Sequence, residues 1–258
     1  MALRGVYNQN YLNLDNLIDV TTLQNLHSEM AAGIARSYID KGVVSCGSQA
    51  SETKLELCQV LRSPEKFFST EQLSYLNQMN NLHEKAWYCC LLLPIHHPYF
   101  MVFLRRERSF WKKQYAEYCD WTANARFFPK TLKFISQLPF KEIGRILFFI
   151  TDHHYETLIH YDASDEKSRG SHNNTEMLYL RSRLDKRLFL FDPSQQKKIY
   201  VNSYASFWND LDWHGTEPAE KKTFALRVDG FFNEKFKIQL EKLSSDNLDQ
   251  SELTNGTI

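Results

Sequence analysis

The stretch "IGRILFFITDHHYETLIHYD", residues 143–162, decides the fold of this chain. It holds two apolar runs, "RILFFIT" and "TLIH", on either side of the polar turn signal "DHHY". Short runs rich in β-branched and aromatic residues predict strands. Further runs of this kind follow as far as Phe232: "TEMLYLRSR", "RLFLFD", "KIYVNS" and "KTFALRVDGFF". Such short strands without intervening helices favour an antiparallel sandwich or barrel.

The sequence before Ile143 is typical of helices. Helical spacing and capping residues predict helices that begin near Thr21 or Thr22 and near Ser69 or Thr70. A third helix is expected within 98–121, and a short fourth after Pro129, which suits a first helical turn. Because no Pro/Gly/Ser-rich linker separates the two halves, the prediction is one α+β domain in which helices pack on a jelly-roll core.

The expected boundaries follow from these runs. A single domain covers 1–243, with a mostly helical part over 1–140, a jelly-roll core over 141–232 and a C-terminal helix over 233–243. The polar segment 244–258 is expected to be a disordered tail.

The composition argues against several classes of partner. Lys+Arg and Asp+Glu are equal at 31 each, so no overall charge draws the protein to nucleic acid or anionic lipid. No apolar segment reaches the roughly 20 uninterrupted residues of a membrane span. Five cysteines, none in a C-x-x-C spacing, and an N-terminus with no apolar signal region favour a reduced, cytoplasmic protein. We therefore expect a small-molecule substrate, and neither a nucleic acid nor a membrane partner.

The pair His160 and Asp162 is the first candidate metal site. Residues two positions apart in a strand face the same way, so this imidazole and carboxylate could bind one cation. A third ligand must come from downstream, where His172 lies in a polar loop and His214 adjoins a strand candidate. Two imidazoles and one carboxylate leave positions open on the metal, an arrangement that suits non-haem iron(II).

Arg227 lies beyond His214 in the strand-like run "TFALRVDGFF". It alternates out of an apolar face, so an ordinary solvent-facing role is one interpretation. The other is that its guanidinium is held for two-point capture of a carboxylate. Its position shortly after a candidate ligand histidine favours the second interpretation.

Together, His160-x-Asp162, His214 and Arg227 resemble the signature of the iron(II)/2-oxoglutarate-dependent oxygenases. The resemblance covers about 143–232 and implies a double-stranded β-helix. It further implies Fe(II) on the two histidines and the aspartate, with 2-oxoglutarate as co-substrate gripped by Arg227, and O2. Thr157 and Arg145, from the strands just before the triad, are further candidates for contact with 2-oxoglutarate. Related halogenases have Gly or Ala in place of the carboxylate, so the presence of Asp162 points to hydroxylation.

The implied reaction oxidises a substrate C–H bond and releases succinate and CO2. A small polar metabolite, such as an amino acid or a biosynthetic intermediate, is the expected substrate, with residues 163–175 as its lid. Tyr161 and Trp213 are expected to pack in the core beside the ligands. Two alternatives stay open: a cupin-like metal hydrolase or isomerase that does not use 2-oxoglutarate, and a non-catalytic β-sandwich binding module.

Overall fold

The structure is a computed structural model, which describes residues 2–37, 44–46, 57–79, 85, 88–89, 92–93, 98–151, 156–162 and 175–254. The strands are β1 (Tyr11–Asn13), β2 (Val44–Cys46), β3 (Pro98–Glu107), β4 (Cys119–Trp121), β5 (Phe140–Thr151), β6 (Thr157–His160), β7 (Met177–Leu180), β8 (Leu188–Asp192), β9 (Lys197–Tyr200), β10 (Ala205–Trp208), β11 (His214–Thr216) and β12 (Thr223–Phe232). The helices are α1 (Val20–Asn25), α2 (His27–Arg36), α3 (Leu57–Arg62), α4 (Thr70–Gln78), α5 (Pro129–Ile135) and α6 (Glu234–Thr254).

Two antiparallel sheets form a jelly-roll core, as predicted. The larger sheet has the order β1-β10-β7-β12-β5-β3-β2, with β4 beside β3, and the smaller sheet has the order β6-β11-β8-β9. The chain passes back and forth between the sheets from β5 to β12. Strands that are distant in the sequence therefore lie side by side, as β6 and β11 do in the smaller sheet.

Strand β5 is central to the larger sheet because it pairs with both β12 and β3. Its alternation gives two apolar faces. Phe148, on one face, stacks on Phe128 at 5.0 Å between ring centroids and belongs to the main hydrophobic core. Leu147, on the other face, packs with Phe103 toward the inside of the jelly roll. A strand buried on both faces reads as a continuous apolar run, which explains "RILFFIT".

The third predicted helix is wrong. Most of 98–121 consists of strand β3, which pairs with β5 over much of its length, followed by two short 3-10 turns and strand β4. The run "MVFL" carries apolar residues at successive positions, which suits a strand between neighbours better than one face of a helix. The larger sheet therefore extends into the part expected to be mostly helical.

The other helical predictions fare better. Ser69 caps α4 in a reciprocal capping box with Gln72, and α5 begins at Pro129, both as expected.

At the C-terminus, α6 continues to Thr254, so 244–254 differ from the disordered tail that was expected there. The side chain of Ser244 donates to the backbone carbonyl of Tyr7, which holds this part of α6 against the N-terminal segment. No helix in the described ranges is long and apolar enough to span a bilayer.

Candidate functional site

Asp162 and His214 come together at the end of the smaller sheet. His214 is the first residue of β11, and Asp162 follows the end of the neighbouring strand β6. Oδ1 of Asp162 lies 3.6 Å from Nε2 of His214, and their side chains are 17% and 9% exposed. Metal ligands of this kind lie at about 2.0–2.2 Å, so one cation between the two atoms can reach both.

A backbone hydrogen bond orients the imidazole of His214. Its Nδ1 lies 2.9 Å from the carbonyl oxygen of Asp212, which can only accept. Nδ1 therefore carries the proton, and in the neutral ring the lone pair of Nε2 points toward Asp162. A histidine whose second nitrogen donates to a carbonyl is the usual arrangement of a metal ligand in proteins.

The two side chains strongly influence each other's protonation. Burial would lower the pKa of His214, but the hydrogen bond to Asp162 and its negative charge outweigh this effect, and the net pKa is raised. Burial would raise the pKa of Asp162, but the positive charge of Arg227 and the interaction with His214 hold it well below its ordinary value. Asp162 is therefore an ionised carboxylate. The neighbouring His214 favours binding either a proton or a cation.

A buried cluster of charges lies behind Asp162. Its cations and anions are joined in pairs: Lys113 with Asp210, Arg227 with Asp210 and Asp229, and Arg145 with Asp229 and Glu107. Among the described residues, Asp162 also contacts Arg227, so one guanidinium is shared by three carboxylates. This end of the cavity is therefore rich in carboxylates.

His160 is opposite His214 in the sheet, since the two residues are paired in the antiparallel register of β6 and β11. Its side chain lies outside the described part of the structure. Within the described part, no group of three or more His, Cys, Asp or Glu side chains is arranged to hold a metal. The structure thus brings together two of the three predicted ligands and the backbone of the third. His172, the competing ligand, and most of the expected lid at 163–174 lie outside the described residues.

A cavity of about 90 Å³ extends from this pair into the jelly roll. One water needs about 10–15 Å³ on the same kind of measure, so there is room for a small molecule. The lining includes Asp162, His214, Arg227, Tyr179, Trp208, Phe149, Leu188, Thr157, Thr223, Arg181 and Lys186. Arg227 is opposite Tyr179 in the register of β12 and β7, whereas Thr223 is at the start of β12, roughly 13 Å away at about 3.3 Å per residue. The cavity therefore has one end at Asp162 and His214 and a far end at Thr223.

Lys186 is the most unusual group at the far end. It precedes β8 on the side away from His214, since Leu190 is the partner of His214 and Leu188 that of Thr216. Part of the residue is accessible, but its Nζ is buried and has no hydrogen-bond partner among the described residues. Burial lowers the pKa of Lys186 to about 7. When Lys186 is protonated, its ammonium group has no anionic hydrogen-bond partner among the described residues.

At the far end, Thr223 Oγ1 is also buried without a partner in the described part of the chain. Trp208 Nε1 is buried in the same way but belongs to the other end, since the Trp208 ring lies 5.8 Å from the His214 ring and 5.0 Å from the Tyr179 ring between centroids. Arg181 is buried and donates to the backbone carbonyls of Val201, Ser203 and Lys186, so it adds positive charge and fixes the backbone that carries Lys186. Exposed charges of both signs, at Arg183, Asp185 and Lys222, line the outer part of the cavity.

The remaining predicted residues, Thr157, Arg145 and Arg227, differ in how they relate to the cavity. Thr157 lines the cavity as expected. Arg145 does not line it, because its guanidinium pairs with Asp229 and Glu107. Arg227 does line it, but each of its three nitrogens already donates to a carboxylate, on Asp162, Asp210 and Asp229. The two-donor fork predicted for Arg227 is therefore directed at the chain's own buried acids.

The packing expected around the ligands is present. The rings of Tyr161 and Trp213 meet edge to face with 4.6 Å between centroids. These aromatic neighbours of Asp162 and His214 contact each other, which ties together the two segments that carry the ligands.

Sequence reasoning missed the far end of the cavity. Lys186 lies in "RSRLDKRLFLFD", where a charged turn before a strand predicts a solvated lysine. Thr223 carries no motif. The only signal was the alternation of the strand run "TEMLYLRSR", which places Tyr179 and Arg181 on one face.

No family model matches this sequence, and no curated protein matches it. Solved structures with a similar fold include a prolyl-4-hydroxylase from Pseudomonas putida, at 9% identity and a TM-score of 0.40, covering 86% of this chain and 92% of that one. Another is an oxidoreductase of the 2OG-Fe(II) oxygenase family from Burkholderia pseudomallei, at 9% identity and a TM-score of 0.34, covering 52% and 67%. A third is an RmlC-like cupin from Desulfovibrio desulfuricans, at 15% identity and a TM-score of 0.24, covering 33% and 69%. At these low scores, the functional argument rests on the residues of this chain.

Proposed function

We propose that this protein is an Fe(II)- and 2-oxoglutarate-dependent oxygenase. The observation that carries the proposal is one cavity with opposite charge preferences at its two ends. At one end, Oδ1 of Asp162 lies 3.6 Å from Nε2 of His214, and this pair of acceptors suits a cation. The end at Lys186 has a buried amine without a partner in the described residues and suits a carboxylate. A metal-chelating acid with a second carboxylate satisfies both ends.

His160, Asp162 and His214 are the proposed metal ligands. Three features support this set: the lone pair of His214 Nε2 directed at the carboxylate, the 3.6 Å separation from Asp162 Oδ1, and the register that pairs His160 with His214. Two imidazoles and one carboxylate leave positions for a chelating co-substrate and O2.

Lys186 is the proposed partner of the distal carboxylate of 2-oxoglutarate. It replaces Arg227 in that role, because the nitrogens of Arg227 are already engaged with carboxylates while Lys186 Nζ has no partner in the described part of the chain. Thr223 Oγ1 offers a further donor. A carboxylate beside Lys186 raises its pKa and keeps the ammonium form, which restores the charge that burial removes.

The chain contributes position and exclusion of water to the reaction. Bound Fe(II) with O2 supplies the oxidising chemistry, and its products from 2-oxoglutarate are succinate and CO2. Asp212 holds the ring of His214, Lys186 fixes the far end of the co-substrate, and Phe149 and Leu188 form apolar walls that limit water in the cavity.

The proposed substrate is a small polar metabolite that is hydroxylated at a C–H bond. Equal numbers of acidic and basic residues provide no charged track for a polymer. The test is succinate formation from 2-oxoglutarate by Fe(II)-loaded protein in air, screened against amino acids and related metabolites. We expect Asp162→Ala to abolish the succinate signal. A wild-type protein that makes no succinate with any substrate, nor in their absence, would count against the proposal.

One observation favours the cupin-like hydrolase or isomerase as a second candidate. A carboxylate clamp at Arg227 would argue against this candidate, but Arg227 instead contacts Asp162, Asp210 and Asp229. Lys186 supplies a replacement. Binding of 2-oxoglutarate that depends on Lys186 separates the two candidates.

A further inference from the structure

The inference concerns the contact between Arg227 and Asp162, and it rests on the proposed function. Nη1 of Arg227 donates to Oδ2 of Asp162, while the other oxygen, Oδ1, faces Nε2 of His214 at 3.6 Å. We propose that Arg227 is a positioning residue that holds Asp162 as a one-oxygen metal ligand. In this role it acts through the carboxylate and does not grip the co-substrate.

The guanidinium is fixed at all three nitrogens. Nε donates to Oδ1 of Asp229 at 2.7 Å, and Nη2 donates to Oδ2 of Asp210 at 3.1 Å. Because the group is planar, these two bonds set the direction in which Nη1 points. Arg227 is 2% exposed, so no water competes appreciably for its donors.

The two anchoring carboxylates are themselves held. Lys113 Nζ lies 2.8 Å from Oδ2 of Asp210, and Arg145 Nε lies 2.6 Å from Oδ2 of Asp229. Both aspartates are fully buried. The cluster therefore provides a rigid support that reaches the carboxylate of Asp162 through Nη1 of Arg227, while the backbone N–H of Asp162 donates to the carbonyl oxygen of Asp210 at 3.1 Å.

The contact has a consequence for the metal. With Oδ2 engaged by Arg227, Asp162 offers only Oδ1 toward His214. A one-oxygen carboxylate occupies a single position, so that a chelating acid and O2 retain theirs. Outer groups that orient a ligand typically contribute about 10–100-fold to metal affinity.

The test compares Arg227→Lys with Arg145→Lys, using Co(II) as the probe in isothermal titration calorimetry without co-substrate. Both variants keep the charge and disturb the same buried cluster, but only Arg227 contacts Asp162. We expect the Kd for Co(II) to rise about 10–100-fold in Arg227→Lys. In Arg145→Lys we expect the Kd for Co(II) to change by less than about threefold, because the effect of this substitution on Asp162 is indirect. The Co(II) absorption spectrum should shift in Arg227→Lys, while the Kd for 2-oxoglutarate at saturating Co(II) stays close to that of the wild type.

An unchanged Kd for Co(II) in folded Arg227→Lys would overturn the inference, and a weakened Kd for 2-oxoglutarate alone would restore the clamp. If Arg227→Lys does not fold, a crystal structure of the Co(II)-loaded wild type decides. It should show Asp162 bound through one oxygen with the other on Arg227, and a two-oxygen Asp162 overturns the inference. Failure of the proposed function is distinct, because the Fe(II)-loaded wild type would then make no succinate from 2-oxoglutarate, whatever the Kd of Arg227→Lys for Co(II).

Discussion

Asp162 and His214 face each other at one end of the cavity, with 3.6 Å between the carboxylate Oδ1 and the imidazole Nε2. Both atoms are acceptors when the imidazole is neutral and its proton is on Nδ1, where the carbonyl of Asp212 holds it. Two acceptors at this distance repel each other unless a cation or a proton lies between them. This pair is therefore where the account can be tested first.

The first prediction is that Asp162→Ala removes metal binding without unfolding the protein. Arg227 keeps its bonds to Asp210 and Asp229 in this variant, so the buried cluster stays paired, whereas the metal loses its anionic ligand. We expect the Kd for Co(II) to rise by at least about 100-fold, the upper end of the effect of an outer-shell group. Thermal unfolding followed by circular dichroism should show a shift of a few degrees at most.

Asp120→Ala is the matched control, since Asp120 is an exposed carboxylate paired with Arg108 on the surface. It should bind Co(II) as the wild type does. Equal affinity in Asp162→Ala and the wild type would remove Asp162 from the metal site.

The second prediction is that Lys186→Met weakens binding of 2-oxoglutarate to the metal-loaded protein. A lost charge-assisted hydrogen bond is worth about 1.5–3 kcal/mol, which corresponds to roughly 10–100-fold in affinity. The Kd for Co(II) in the absence of 2-oxoglutarate should change little. Lys197→Met, at an exposed lysine of β9, serves as the control and should bind both as the wild type does. Unaltered affinity for 2-oxoglutarate in Lys186→Met would leave the far end of the cavity without its proposed role.

The third prediction concerns stability and pH in the absence of ligand. The pKa of Lys186 is about 7 in the folded protein, compared with 10.5 for an ordinary lysine. Between these values the unfolded chain binds the additional proton, so the free energy of unfolding rises with pH across this window. Lys186→Met lacks this titration and should be more stable than the wild type near pH 7, by an amount on the order of a few kcal/mol.

Urea unfolding at pH 7, 8 and 9 measures the effect. The advantage of Lys186→Met should shrink by up to about 1.4 kcal/mol per pH unit as the wild type approaches it. A pH-independent difference between the two proteins would show that Lys186 keeps an ordinary pKa.

The fourth prediction is a pH dependence of 2-oxoglutarate binding. Only the ammonium form of Lys186 pairs with a carboxylate, and above its pKa of about 7 binding must take up a proton. The Kd should therefore rise with pH above 7, by as much as about tenfold per unit. Titrations of Co(II)-loaded protein at pH 6.5, 7.5 and 8.5 should show this trend in the wild type and not in Lys186→Met. The same slope in both proteins would assign the effect to another group.

The sequence was sufficient to predict the jelly roll, because strand runs such as "RILFFIT" and "TLIH" carry their structure in local composition. It misled at 98–121, where basic and aromatic residues in "FLRRERSFW" obscured a strand that only pairing with β5 reveals. Strand β11 is three residues long and depends on its neighbours β6 and β8, so no local pattern defines it.

The candidate site likewise has a part that the sequence predicts and a part that depends on the fold. His160, Asp162 and His214 could be proposed as ligands because metal ligands have a recognisable type and order. The engagement of Arg227 by Asp210 and Asp229, and the burial of Lys186 Nζ, depend on which residues the fold brings together. From the sequence alone, neither Lys186 in its polar turn nor Arg227 in its strand shows which of the two lacks a carboxylate partner among the described residues.

The most direct test of the central claim is an anaerobic titration of 2-oxoglutarate into Fe(II)-loaded protein, followed by the metal-to-ligand absorbance in the visible range. The account predicts a saturable band that requires both Fe(II) and 2-oxoglutarate, is absent in Asp162→Ala, and appears only at higher 2-oxoglutarate concentration in Lys186→Met. Fe(II)-loaded wild-type protein that develops no such band at millimolar 2-oxoglutarate would contradict the account.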